Sequence, residues 1–198
     1  WVGEMGLVDV GGVGGGGGWW GGGGGWGGGG RGGGGGGRGG GGGGRGGGGG
    51  GEGEKEKARE RWGGEAVQMG RAAKVTFRYF AKKEPAVVGL IADQSALASS
   101  PMWAMFLNRE AAFFQGPLTI ARKTNQPVFF QEVVRLARGK YECRYSLLVE
   151  DPSKLNANEI LLRYIEKMEE VIKSNPEYYL WSHKRWKHKR PEGTALIQ

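Results

Sequence analysis

The sequence is poor in the residues on which most site chemistry depends. It has one cysteine, Cys143, so no intrachain disulfide can form; a reducing compartment is the simpler expectation, with the thiol packed and inert. Its two histidines, His183 and His188, sit close together in a lysine-rich run. One cysteine and two such histidines offer no tetrahedral metal site, and no metal or other cofactor is expected. No run approaches the about 20 apolar residues that a membrane-spanning helix needs, so any membrane contact made by this chain is expected to be peripheral. No glycine loop lies between a strand and a helix and ends in Lys-Ser/Thr, which excludes the usual phosphate loop of nucleotide-binding enzymes.

Glycine, by contrast, is in excess, with 44 of 198 residues, most of them before Glu54. Glycine brings no side chain to bury and loses the most backbone entropy on ordering, so residues 1–64 are expected to be a disordered low-complexity segment. Glycine, Arg, Trp, Glu, Val and Met can all be written with guanine-rich codons. The expectation is therefore that this segment translates a repetitive stretch of DNA and stands in place of a natural N-terminal half. Three Arg-Gly-Gly triplets begin at Arg31, Arg38 and Arg45, just after Trp19, Trp20 and Trp26. Such segments bind single-stranded nucleic acid through phosphate contacts and base stacking, which supplies an alternative function. Residues 52–62, "EGEKEKARERW", alternate acid and base and read as a solvated helical turn or two.

The formal net charge of +8 is unevenly placed. Up to Gly64 there are 7 Lys+Arg against 6 Asp+Glu, and from Glu65 onward 21 against 14, giving +1 and +7. A basic folded part implies an anionic partner: nucleic acid, anionic lipid or a phosphorylated glycolipid.

From Glu65 the chain alternates helical and extended patterns. "VQMGRAAKVTFRYF" at 67–80 reads as a helix, with Met69, Ala73, Phe77 and Phe80 on one face. "AVVGLI" at 86–91 is a continuous apolar run, the pattern of a strand covered on both faces. Asp93 and Gln94 follow it, where polar groups of an open α/β sheet line the ligand crevice; capping the following turn is the structural alternative for Asp93. Residues 95–115 read as an irregular loop rich in large apolar groups, folding over the core or offering an apolar surface to lipid. A helix is expected from Gly116 to Asn125, with Pro117 in its first turn. Two strands at 128–136 and 141–149 are expected to pair through an Arg138-Gly139 turn. Asn156 and Glu159 have capping-box spacing, and Ile160, Leu161, Tyr164, Ile165, Met168, Val171 and Ile172 repeat with helical period. Pro176 is expected to open a short aromatic and basic helix through "YYLWSHKRWKHKRP". The alternation indicates the α/β class, with an incomplete sheet of about three strands.

Acyl transfer to a hydroxyl needs a base to take the proton, usually a histidine held by a carboxylate. Five residues after His183 stands His188, and five after His188 stands Gly193, so the sequence contains no His-x4-Asp/Glu unit.

Four segments in order, "GLIADQ" at 89–94, "FLNREAAFFQGPLTIARKTNQPVFF" at 106–130, "RGKYEC" at 138–143 and "NPEYYLWSHKRWKHKRP" at 175–191, resemble the C-terminal half of the bacterial lipid A biosynthesis acyltransferase family, in a style similar to its Bacteroidetes members. The resemblance implies a partial three-layer acyltransferase-type fold with a truncated mixed sheet over residues 65–198. It implies transfer of a fatty acyl chain, from acyl carrier protein or acyl-CoA, to a hydroxyl of a lipid A precursor at the cytoplasmic face of the bacterial inner membrane. In the family the His-x4-Asp/Glu unit and the membrane anchor lie in the N-terminal half, so this chain looks like a fragment inactive alone, or a non-catalytic membrane-associated remnant. The resemblance further implies active-site lining by Asp93, Gln94 and Arg71, an acyl or substrate cleft at Phe114 and Gly116, and membrane or phosphate contact by Trp181, His183, Arg185, Trp186 and Lys187. In that closing segment the aromatics are expected to pack on the body and the cations to face headgroups or phosphate.

Overall fold

The periodic segment after Asn156 organises the fold. In the computed structural model it forms an α-helix over Ala157–Ser174, and its capping box closes in both directions. Glu159 N donates to Asn156 Oδ1 at 3.0 Å, and Asn156 N donates to Glu159 Oε2 at 2.7 Å. All seven residues of the apolar stripe, from Ile160 to Ile172, are buried. They form the floor of the main core together with Phe106, Phe113, Leu118, Val128 and Phe130.

The structure describes residues 2–8, 65, 67 and 69–198. Its elements are β1 (Val2–Val8), α1 (Met69–Lys82), β2 (Val87–Ile91), β3 (Met102–Phe106), β4 (Arg109–Phe113), α2 (Gly116–Thr124), β5 (Val128–Ala137), β6 (Lys140–Val149), α3 (Ala157–Ser174) and β7 (Leu196–Ile197). All of them belong to one compact unit. They make an α/β molecule with two small partial sheets, one of order β2-β1-β5-β6 and one of order β4-β3-β7. Strand β1 falls within the segment 1–64 to which the sequence assigned no structure; the Arg-Gly-Gly triplets and the 52–62 stretch lie outside the described residues.

Several elements differ from the sequence reading. Helix α1 keeps Phe77 of the expected face against the core but turns further than expected: Val75 and Thr76 are buried, whereas Ala73 and Phe80 are exposed. The Thr76 hydroxyl is satisfied within the helix, donating to Ala72 O at 2.9 Å, which lets a polar residue share the inward face. Strand β2 is not covered on both faces. Among the described residues it is an edge strand paired with β1, with Val88 and Leu90 against the core and Val87 and Ile91 exposed. A continuous apolar run is compatible with either arrangement, because the pattern does not say which layers are present.

The stretch read as an irregular loop is a hairpin, β3 and β4, paired from Met102↔Phe113 to Phe106↔Arg109. Its two-residue turn, Leu107-Asn108, has φ of 48° and 62°, the geometry that matches strand twist in tight hairpins. Helix α3 holds this turn, because Leu107 N donates to Glu169 Oε1 at 2.7 Å. The apolar residues of the stretch go largely to the core, with Met102, Trp103, Phe106 and Phe113 buried.

The β5–β6 hairpin and α2 match their expected positions to within a residue or two. Gly139, at φ 75°, makes the β5–β6 turn, and Asn125, at φ 52°, closes α2. The helix expected from Pro176 amounts to one 3-10 turn, Pro176–Tyr178; Tyr179 is extended, and the chain then runs as a strap to β7, which pairs in parallel with β3.

Candidate functional site

The chain leaves β2 through Ala92 and Asp93, both buried. Asp93 is 6% exposed, and with Gln94 it lines a recess completed by Tyr179, Leu180 and His183 from the C-terminal strap. The recess is too tight to admit a water molecule, so these side chains meet as a packed junction. Ser95 N donates to His183 Nε2 at 3.0 Å. That bond requires a neutral imidazole with its proton on Nδ1. Burial, Lys187 and Arg185 together hold the His183 pKa below the ordinary histidine range, which favours the same state.

Arg185 is the centre of the strap. It is 2% exposed, and its Nη1 donates to Ala112 O at 2.7 Å. Strand β4 is the edge of its sheet, so this bond supplies a partner to a backbone acceptor at that edge. The guanidinium lies 4.4 Å from the ring centroid of Phe113 and 5.5 Å from that of Phe106, within cation–π range of both. Burial lowers the Arg185 pKa, and the neighbouring Tyr179, Tyr164 and Asp93 oppose that shift. Burial pushes the Tyr179 hydroxyl up to about 12, against the pull of Arg185 and with a push from Asp93. At neutral pH the junction therefore holds a cation, the Asp93 carboxyl group and a neutral phenol behind an aromatic wall.

The rest of the strap clamps onto the same hairpin. Trp186 stacks on Phe106 at 5.8 Å and 21°, and Arg109 sits 5.0 Å over the Trp186 ring. Arg190 pairs with both oxygens of Glu110, at 3.0 and 3.1 Å, and Arg190 Nη1 also donates to Thr194 O.

Of the residues singled out in the sequence, the structure brings Asp93, Gln94 and His183 together at the recess and sets Arg185 behind them. The expected division of the closing segment, aromatics inward and cations outward, is corrected at two positions. Arg185 faces the core, because two aromatic rings and a carbonyl receive it, while Trp181 is 53% exposed. Trp181 is held on the outside by a bond from its Nε1 to Pro176 O at 2.6 Å and by edge contact with Tyr179. Lys187 is exposed. Arg71 is exposed on α1, and no described contact joins it to Asp93. Phe114 packs on Ala96, Trp103 and Ala112, and Gly116 opens α2 with open space where a side chain would stand. The sequence reading passed over Tyr179, Ser95 and the Arg190–Glu110 pair. Tyr179 carried a readable signal, an aromatic two residues before Trp181 in a segment already marked as packed.

Among the described residues, no three His, Cys, Asp or Glu side chains converge as metal ligands, and no helix is long and apolar enough to cross a membrane. No curated protein and no solved structure matches the chain. A comparison with protein families matches residues 55–188, from ahead of α1 into the strap as far as His188. The matched span contains the Asp93 junction and the Arg185 and Trp186 contacts with β3 and β4, and it covers most of the chain: this protein belongs to the bacterial lipid A biosynthesis acyltransferase family.

Proposed function

We propose that this chain carries the part of a lipid A acyltransferase that lines the transfer site from the side of Asp93 and Gln94, and that it does not turn over alone. The family match over residues 55–188 carries the reading. The chemistry is transfer of a fatty acyl group from acyl carrier protein or acyl-CoA to a hydroxyl of a phosphorylated lipid A precursor, at the cytoplasmic face of the bacterial inner membrane. Arg71, Phe114 and Gly116 belong to the proposed lining and cleft.

The absence of turnover follows from the state of the histidines. The attacking hydroxyl must lose its proton as the acyl bond forms, which requires a base with a free lone pair and a carboxylate to orient it. The Nε2 lone pair of His183 is committed to Ser95 N, and the sequence places no carboxylate five residues after either histidine. General base catalysis contributes roughly 10² to 10⁴-fold, and that factor is lost here. What the junction does instead is positional. His183 ties the loop after Asp93 to the strap, and Arg185 ties the strap to β4.

The test is equilibrium binding of a phosphorylated lipid A precursor by the full chain in neutral detergent, against the same lipid without phosphate. The reading predicts tighter binding of the phosphorylated lipid, weakened by changing Arg71 to Gln. Equal affinity for the two lipids would overturn it.

A further inference from the structure

We propose that the tip of the β5–β6 hairpin is a docking finger for an anionic lipid surface. The proposal rests on the membrane location put forward above and names the surface that meets the lipid.

The described pairing of β1 with β5 runs from Val128 to Glu132, and beyond Glu132 the described partner of β5 is β6, so among the described residues the end of the hairpin is a two-stranded ribbon. Its end reads "RLARGKY" at 135–141, and all seven residues are exposed. Leu136 is 58% exposed and Tyr141 is 62% exposed, an aliphatic and an aromatic side chain in water with no function in the core. Around them stand Arg135, Arg138 and Lys140. None of these three has an ion pair or a hydrogen bond among the described residues, whereas the next cation along, Arg144, is neutralised by Glu142 at 2.7 Å. The tip therefore offers three uncompensated positive charges and no negative one.

An anionic bilayer complements this arrangement. Lysine and arginine stems lie along apolar surface while their charges reach headgroups, and tyrosine is favoured at the level where headgroups meet acyl chains. Leu136 separates lipid from nucleic acid as the partner: an aliphatic side chain gains from an acyl layer and gains little from bases and phosphates. The tight Arg138-Gly139 turn presents these groups on a rigid support, which keeps the ordering cost low.

The experiment is co-sedimentation of the full chain with vesicles of phosphatidylcholine alone or mixed with phosphatidylglycerol. Binding to the mixed vesicles is expected, and it should weaken as salt is raised. The triple variant Arg135→Gln, Arg138→Gln, Lys140→Gln should lose roughly 100-fold in partitioning, from about 5-fold per cation near an anionic surface. The pair Leu136→Ser, Tyr141→Ser should also weaken binding with the charge intact. The control variant Lys184→Gln, Lys187→Gln, Lys189→Gln removes the same charge from the strap and should lose far less. Equal losses from the two triple variants would overturn the proposal, as would wild-type binding by the hairpin triple variant. Loss of oligonucleotide binding in place of vesicle binding would assign the tip to nucleic acid and reject it. Precursor binding in neutral detergent needs no bilayer, so the acyltransferase reading stands or falls separately from the finger.

Discussion

Replacing Arg185 separates two physical accounts of the strap. A buried cation is costly, since desolvation takes several kcal/mol, and a well-packed apolar substitute can be neutral or stabilising. Against that cost stand three contacts: the 2.7 Å bond to Ala112 O and the faces of Phe113 and Phe106. A hydrogen bond from a charged donor contributes about 2 kcal/mol, and desolvated cation–π contacts contribute about 2 kcal/mol more. The nearby Asp93 charge offsets part of the desolvation. Its Nε and Nη2 have no hydrogen-bond partner among the described residues, so the two ring faces must meet them, and on that account the contacts outweigh the cost. Arg185→Met, which fills much of the volume, should therefore lose about 2 kcal/mol, chiefly because the Ala112 carbonyl is left buried without a partner. Arg185→Ala should lose about 4 kcal/mol, the difference being the space left unfilled. Urea denaturation of the full chain reads both, provided the slope with denaturant is unchanged. A methionine variant as stable as the parent, or more stable, would refute this reasoning and show that desolvation outweighs the contacts.

Other consequences can be measured on the same protein. Asn156→Ala opens the capping box and should cost about 1 kcal/mol in urea denaturation. The His183 tether should weaken in acid: its folded pKa is depressed, so the stability it provides is complete above the unfolded value of about 6.5 and is lost as pH falls through the folded value. Between about pH 7.5 and about pH 5 the parent should then lose more stability than His183→Gln, and parallel losses would contradict the tether. The hairpin-tip triple variant should retain the parent's denaturation midpoint, because its side chains are exposed and have no ion pair among the described residues; a large drop would mean that they support the fold.

What the sequence made legible was local. The α3 stripe and the capping box could be read because a long helix repeats its inward face every three or four residues and closes its own first turn. The β5–β6 hairpin was legible through Gly139, whose positive φ the turn requires. The β3–β4 hairpin was not, because Leu107 and Asn108 adopt positive φ without a glycine to announce it, and the turn depends on Glu169 far along the chain. Strand β2 was legible as a strand but not as an edge.

The candidate site divides in the same way. Asp93 was marked by its place at the end of an apolar run, a local cue. The burial of Arg185 was invisible to sequence, since a cation goes inside only where rings and a carbonyl from distant elements have been arranged to receive it. Composition alone placed that arginine on the surface, among the lysines that do remain there. Lys184, Lys187 and Lys189 stay exposed along the strap, and Arg135, Arg138 and Lys140 at the hairpin tip form a second outward-facing cationic group.

The central claim is that the chain holds the Asp93 side of an acyl-transfer site without a usable base. Acyl transfer by the full chain tests it most directly, with acyl carrier protein or coenzyme A as the donor and a phosphorylated lipid A precursor in detergent as the acceptor. The account predicts no product above the protein-free control. Product that forms with the parent and disappears with His183→Ala would contradict it, because His183 would then have left Ser95 to serve as the base.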